Sequence, residues 1–282
     1  MPMSIISLSE VGISSARLIG FNAALLGEVS KQGFPVVQGY VIPSNLVFEF
    51  MCASDSSWEN TNKYGHFFEN LLANQQKKTF RNNPHTVLAF HKLVQSAIQE
   101  LHTTRFMVSP SVVVKHPEAY SSLSVFANYE IPAESLLKSI LEQAQHFWHM
   151  KLLLDNGVVH EYSNEQVDLS MIIQKHEKAP AIISYTYERA KGAVYFEYGN
   201  SIDKLRGGTV NSQKIILGTE DEELFLILVP FDYKAILKTI KASHNKISEL
   251  FNAPIEISWR LQTIPEILSI RIVKEEVKMF SA

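Results

Sequence analysis

A few residues have the type and spacing to do chemistry by themselves. His146 and His149 stand three positions apart on a predicted helix, with His160 beyond it, and histidines that share a helix face can bind a metal ion. No carboxylate stands at ligand spacing on that face, so we interpret them as surface or interface histidines. The acidic run 219–223 lacks the glycine and the spacing of an EF-hand loop, which favours a solvated turn.

Other catalytic patterns are also weak. Gly207 and Gly208 form an isolated glycine pair, and a hairpin turn explains such a pair better than a phosphate-binding loop. The sequence has no G-x-S-x-G, HExxH, Walker or dinucleotide-binding motif. The only cysteine, Cys52, excludes an internal disulfide and a cysteine-based zinc site. We therefore predict no catalytic residue and no metal ligand from spacing alone.

Composition limits the class of protein and the kinds of partner. The chain has 282 residues, of which 46% are hydrophobic, enough for a large domain or two lobes with a real core. Its formal net charge is −3, so no basic excess exists for a nucleic-acid backbone. The N-terminus lacks a signal-peptide pattern, and no apolar run is long enough to span a bilayer. We expect a cytoplasmic protein with no nucleic-acid or membrane partner.

The predicted secondary structure changes near the middle of the chain. Residues 17–50 read as helix, turn, strand and helix, with Gly33 ending the first helix. Two helical stretches near 65–76 and 85–102, a β-rich strand at 105–115 and a long helix at 132–154 follow. From 167 onward short β-rich runs alternate with turns, followed by a helix at 233–251 and two final strands. The fold class is therefore predicted as α+β. A helix-rich first lobe spans 1–166 and an antiparallel-sheet second lobe spans 167–282.

Two blocks carry a resemblance to a known family. The first matches the family at Ala24, Leu26, Gly27, Glu28, Gly33, Phe34, Pro35, Val36 and Gly39. The last matches it at Pro254, Ile257, Trp259, Leu268 and Arg271. The sequence, over about residues 5–275, resembles the N-terminal nucleotide-binding domain of phosphoenolpyruvate synthase and pyruvate phosphate dikinase. That resemblance implies an ATP-grasp-like fold of two lobes, with ATP and Mg²⁺ bound in the cleft between them.

The resemblance also implies a set of site residues, several of which are changed. The family's phosphate-binding lysine falls on Asn22 and its phosphate-binding arginine falls on Ser109. Its metal-binding glutamate falls on Ser258 and its metal-side glutamine on Ser269. Each replacement is small and neutral. Phosphoryl transfer from ATP needs cations against the phosphates and carboxylates around Mg²⁺, so the resemblance implies a scaffold without its chemistry.

Other positions keep a residue that could bind a nucleotide. Gln174, Glu197 and Arg271 match the family's motifs. Glu256 stands two residues before Ser258, which places it on the same face of a strand, where it could replace the lost metal ligand. ATP and Mg²⁺ are therefore weakly supported as cofactors, and no cofactor is the main expectation.

Three functions follow from this pattern. The main hypothesis is a catalytically degenerate homologue that acts as a non-catalytic binding or regulatory protein with a protein partner. The alternative is an ATP-dependent phosphotransferase component that works with a phosphohistidine domain on a separate chain. A third interpretation is a cleft for a neutral polar ligand, lined by Asn22, Ser109, Ser258 and Ser269.

Overall fold

The computed structural model describes residues 4–54, 84–113, 128–153, 168–206, 213–217 and 234–273. The predicted helix near 65–76 and the sequence interpretations at His160, at the Gly207 pair and at the acidic run 219–223 lie outside these residues. His146 and His149 lie within a helix, as expected.

The helices and strands follow the predicted order closely. The helices are α1 (Ala16–Ile19), α2 (Phe21–Lys31), α3 (Ser44–Ala53), α4 (Pro84–Gln99), α5 (Leu136–Leu153), α6 (Ile202–Arg206) and α7 (Lys234–Phe251). The strands are β1 (Ile6–Ser7), β2 (Gly39–Ile42), β3 (Arg105–Val113), β4 (Asn128–Pro132), β5 (Asp168–Lys175), β6 (Ala181–Glu188), β7 (Ala193–Gly199), β8 (Gln213–Leu217), β9 (Ile255–Arg260) and β10 (Glu266–Ile272).

The strands form two five-stranded sheets, and every pairing between strands within them is antiparallel. The first sheet has the order β1-β2-β5-β3-β4 and the second has the order β10-β9-β6-β7-β8. Helices α3 and α5 bury their apolar faces against the first sheet, α4 packs on α3 in the same core, and α7 covers one face of the second sheet. The predicted α+β class and the antiparallel second sheet are confirmed.

Strand β5 belongs to a different sheet from the one we expected. The sequence analysis assigned it to the second lobe, but it lies between β2 and β3 in the first sheet. Its pairing with β3 runs from Phe106 opposite Lys175 to Val113 opposite Asp168. These partners are far apart in the sequence, so local pattern could not identify them. The division at 166/167 stays a prediction as a domain boundary.

The chain around α2 ties the two sheets together. Val37 N–H donates to the Ile267 carbonyl at 3.0 Å, and Ile267 N–H donates to the Pro35 carbonyl at 2.7 Å. The buried face of α2 packs on β10 within a core that also contains Trp259. Gly33 has φ +84° just beyond the end of α2, as predicted for a residue that ends a helix in the left-handed region. The two lobes therefore share a hydrophobic core.

A buried histidine organises the polar part of that core. His244 on α7 is 0% exposed. Its Nδ1 lies 2.8 Å from Ser184 Oγ and its Nε2 lies 3.0 Å from Thr186 Oγ1. Trp259 Nε1–H donates to the same Ser184 hydroxyl at 2.7 Å. Burial lowers the pKa of His244 from 6.5 to about 3, because the charged imidazolium is costly away from water.

We predict that His244 makes the protein sensitive to acid. Between pH 6.5 and about 3 the unfolded chain binds a proton at this position that the folded chain does not. The free energy of unfolding therefore falls as the pH is lowered, by up to about 1.4 kcal/mol per pH unit. Denaturant unfolding at pH 7, 6 and 5 should show a shallower pH slope for His244→Gln than for wild type. The control His91→Gln, on the half-exposed side of α4, should keep the wild-type slope; equal slopes for all three proteins would contradict the prediction.

Candidate functional site

A cleft lies between the two sheets. Strands β3 and β5 supply one wall, β9 and β10 supply the other, and α2 and α6 close its sides. The space between the walls, with its open mouth included, is about 500 Å³. Its polar lining residues are Asn22, Ser109, Arg206, Ser258, Ser269 and Arg271, and the others are apolar.

A carboxylate held between two guanidinium groups lies at the β9–β10 side of the cleft. Glu256 is 4% exposed and stands directly opposite Arg271 in the sheet. Arg271 Nε–H donates to Glu256 Oε1 at 3.2 Å, and its Nη2 donates to Oε2. Arg206 Nη2 donates to Oε1 at 2.9 Å. Both oxygens of Glu256 are therefore engaged by charged donors, the strong kind of hydrogen bond.

The same nitrogen of Arg206 also reaches two serine hydroxyls. Arg206 Nη2 lies 2.6 Å from Ser258 Oγ and 3.0 Å from Ser269 Oγ, and the two serines are cross-strand partners. An Nη2 group carries two hydrogens, so one of them is shared between two of the three acceptors. The side chain of Arg206 is 22% exposed and that of Arg271 is 25% exposed. Two guanidinium groups thus face the cleft across one buried carboxylate.

The structure brings the changed family positions into one place. Asn22, Ser109, Ser258 and Ser269 all line the cleft, together with Arg271. They come from α2, β3, β9 and β10, which are distant in sequence. Whether this group binds a cofactor stays a prediction. Arg206 donates to the hydroxyls of Ser258 and Ser269, but each hydroxyl keeps its own hydrogen to donate, so the neutral-ligand interpretation stays a prediction.

Two of the retained residues lie outside the cleft lining. Gln174 is 0% exposed, and its Nε2–H donates to the Val37 carbonyl at 3.3 Å, which holds the segment that joins the lobes. Glu197 lies on β7 and accepts a hydrogen bond from the Tyr195 hydroxyl at 2.9 Å. The structure gives both residues local partners, and a role for either in nucleotide binding stays a prediction.

Two tyrosines lie between Glu197 and Glu256, since Tyr195 donates to Glu197 and Tyr185 is the cross-strand partner of Glu256. Tyr185 and Tyr195 lie with their ring centroids 5.5 Å apart. Burial raises the pKa of the Tyr185 hydroxyl, and the charges of Glu256 and Glu197 raise it further. Burial and the hydrogen bond to Glu197 also raise the pKa of Tyr195. Both phenols therefore stay neutral near pH 7 and add no negative charge beside the two arginines.

Sequence reasoning missed Arg206, which makes the largest number of polar contacts in the cleft. It ends the short helix α6 and reaches residues 50 to 63 positions later in the chain. No motif surrounds it, and it precedes the glycine pair that we interpreted as a turn. A basic residue close before that pair was the only signal available, and it is a weak one.

Asn22 is the polar residue of the cleft with an unused buried acceptor. It is 6% exposed, and its Oδ1 accepts no hydrogen bond from any described residue. It lies near the start of α2, where the next residue donates its N–H to the Ser111 hydroxyl at 3.0 Å. A buried acceptor without a donor costs free energy, so this amide is suited to a ligand that can donate to it.

The resemblance implies Mg²⁺ in this cleft, and the residues present do not fit it. Mg²⁺ is held by carboxylate oxygens in octahedral geometry. Here the oxygens of Glu256 are taken by two guanidinium groups, and a third cation beside Arg206 Nη2 would be repelled. Within the described residues no group of three histidine, cysteine or acidic side chains is placed to hold a metal ion.

Comparison with known proteins gives partial structural likenesses. No protein-family model and no curated protein matches the chain. It is similar to a D-alanine–D-alanine ligase from Bacillus anthracis complexed with ATP, at 12% identity, with a TM-score of 0.32 over 62% of this chain and 42% of the ligase. It is also similar to the ATP-grasp ligase PsnB, at 9% identity, with a TM-score of 0.32 over 86% of this chain and 48% of that ligase. A third likeness is to an ATP citrate lyase from Methanothrix soehngenii, at 12% identity, with a TM-score of 0.36 over 84% of this chain and 51% of the lyase.

The chain therefore spans about half or less of the length of these proteins. Likenesses of this size carry no argument about function, which rests instead on the chain's own residues. No helix in the described part of the chain has the length and apolar character to cross a membrane.

We predict that Glu256→Gln destabilises the fold. The change keeps the shape of the side chain but leaves two guanidinium groups facing each other without a carboxylate. Removing one partner of a buried ion pair costs about 3–5 kcal/mol, and the partial exposure of both arginines lowers this to about 2 kcal/mol. Urea unfolding measures the loss. Glu142→Gln, which breaks the exposed Lys138–Glu142 pair, should cost less than about 0.5 kcal/mol; equal losses would show that the buried carboxylate stabilises little.

Proposed function

We propose that the protein is a catalytically inactive, ATP-grasp-like binding protein that keeps the interlobe cleft and lacks the metal site. The observation that supports this is the position of Arg206. Its guanidinium group contacts Ser258 and Ser269, the two positions at which the resemblance implies metal ligands. In this proposal, a fixed positive charge of the protein takes the place that the resemblance gives to Mg²⁺.

The chemistry of phosphoryl transfer explains why this matters. The transferred group needs metal ions that bridge the phosphates and cations that neutralise the developing charge. The lysine and arginine positions carry Asn22 and Ser109, and Pro110 provides no N–H for a phosphate. Losing one stabilising donor typically slows a reaction by about 10² to 10³-fold. Several such losses together leave no useful rate.

The phosphotransferase alternative keeps one supporting observation. Arg206 and Arg271 are cations that face the same cleft, and cations of this kind bind phosphates. Without free carboxylate oxygens for Mg²⁺, however, they can bind a phosphate but cannot organise its transfer. We therefore favour a protein that binds over a protein that transfers a group.

A protein partner completes the proposal. A scaffold that binds a ligand without converting it can only act through something that recognises the bound state. We propose a regulatory role in which a second protein distinguishes the ligand-bound form from the empty form.

The experiment that tests this function is a sensitive assay of ATP turnover. We predict that the purified chain with millimolar Mg²⁺ and ATP releases neither phosphate nor pyrophosphate above a protein-free control, and that no phosphorylated protein accumulates. An assay with radiolabelled ATP is sensitive enough to detect a single turnover per protein molecule, so that even a slow reaction would be seen.

The matched variant in that assay is Glu256→Gln. If wild type hydrolyses ATP in a Mg²⁺-dependent manner and Glu256→Gln, shown by circular dichroism to be folded, does not, the cleft is catalytic and the proposal is wrong. A trace activity that is unchanged in the variant and separates from the protein on a further purification step would come from a contaminating enzyme.

A further inference from the structure

We propose that the cleft binds an oxyanion without a metal ion, with the guanidinium group of Arg206 in place of the metal. The ligand class is a compound with a phosphate or carboxylate group. This inference deepens the proposed function and rests on it. Its own basis is the charge of the cleft, the donors left over on its two arginines and the unpartnered amide of Asn22.

The charge balance of the cleft favours an anion. Arg206 and Arg271 supply two positive charges, and Glu256 supplies one negative charge between them. Among the described residues, the two arginines are the charged side chains that line the cleft, and together with Glu256 they carry a formal net charge of one positive unit. A buried charge is stabilised when a partner of the opposite sign is close. An oxyanion would provide that partner.

The arginines also keep donors for such a ligand. Arg206 forms its bonds to Glu256, Ser258 and Ser269 through Nη2 alone. Arg271 uses Nε and Nη2 on Glu256. The Nη1 group of each arginine therefore has no acceptor among the described residues. A guanidinium group that is fixed by a carboxylate on one edge is pre-organised to bind a second oxyanion on the other edge.

Asn22 supplies an independent observation at the opposite side of the cleft. Its side chain is buried, lines the cleft and has an unpartnered Oδ1. A ligand hydroxyl or N–H can donate to this oxygen, and the amide presents donors instead if it rotates by 180°. A ligand that joins an oxyanion to a hydrogen-bonding group would therefore satisfy both sides of the cleft.

The role of Arg206 distinguishes this cleft from one that binds Mg²⁺ together with a nucleotide. A metal-dependent site binds the metal complex of a polyphosphate, so chelation of the metal abolishes binding. Here the positive charge belongs to the protein. Added Mg²⁺ competes with the arginines for the oxyanion and cannot improve binding. Whether ligand binding requires Mg²⁺ therefore distinguishes a metal-dependent nucleotide site from a metal-free oxyanion site.

The test is thermal unfolding of the full chain with defined anions. The probes are inorganic phosphate, pyrophosphate, malonate and ATP, each with EDTA and each with Mg²⁺, at constant ionic strength. We expect at least one probe to raise the Tm by about 5 °C at saturation in EDTA, with no larger rise in Mg²⁺. Phosphate and malonate separate a phosphoryl ligand from a carboxylate ligand, and either one supports the proposal.

Variants assign the effect to the cleft. Arg206→Gln should weaken the binding of the same probe at least tenfold, as expected from the loss of a charge-assisted hydrogen bond. Arg206→Lys should restore part of it. Lys204→Gln removes a neighbouring exposed charge on α6 and should leave the affinity unchanged. Isothermal titration measures the dissociation constants, and circular dichroism shows that each variant is folded.

Three results would overturn the inference. They are no Tm rise with any probe in EDTA, a rise that requires Mg²⁺, and equal affinity in wild type and Arg206→Gln. If Arg206→Gln does not fold, Asn22→Ala takes its place, since it should also weaken the binding of ATP. The binding experiment and the turnover assay are independent of each other. A protein that binds no oxyanion contradicts this inference alone, whereas a protein that hydrolyses ATP contradicts the proposed function.

Discussion

The cleft depends on one buried carboxylate. Glu256 is nearly inaccessible to water, and an ionised carboxylate in that position is stable only if its oxygens are paired. Arg271 pairs with it across the sheet and Arg206 pairs with it from a helix. Helix α6 buries Ile202 and Leu205 against the second sheet, and from there Arg206 reaches the carboxylate and the hydroxyls of Ser258 and Ser269. The polarity of the cleft is therefore a consequence of how one charge is neutralised.

The rest of the fold presents that carboxylate at a boundary between two sheets. The backbone bonds between the Pro35–Val37 segment and Ile267 join the sheets beside the cleft, and α2 packs on β10 from the other side. Gly39 lies so close to the Ile173 carbonyl that a Cβ atom would come within 2.5 Å of it, which explains glycine in that strand. These are backbone and packing constraints. They are independent of the charges in the cleft, so the scaffold can persist while its chemistry changes.

The sequence predicted the parts of the fold that local pattern determines. The bounds of α2 and α3, the final strands and the left-handed Gly33 follow from periodicity, capping and the matched blocks. The sheet of β5 did not, because antiparallel pairing joins segments that are far apart in sequence and the hydrophobic pattern of a strand does not name its partner. The changed positions were found by comparison with a family, whereas Arg206 belongs to no motif. A residue that enters a site from a short helix of unremarkable sequence can be identified only in three dimensions.

The proposed function places a guanidinium group where the resemblance implies a metal site, which would be a small change in sequence with a large electrostatic consequence. A carboxylate cluster is stable only when a divalent ion or another cation neutralises it. When a glutamate is replaced by serine, as the resemblance implies at Ser258, one negative charge is lost and a single guanidinium group can do what the ion did. Arg206 satisfies the remaining carboxylate and the two serines with one nitrogen, and its planar fork retains donors for an additional oxyanion. Such a site keeps affinity for an anion while it loses the mobile, exchangeable ligands that a bound metal offers a reacting phosphate. Under the two proposals, binding and turnover are therefore separable, because the same arginine would favour the binding of an oxyanion and would take the place of the metal that turnover needs.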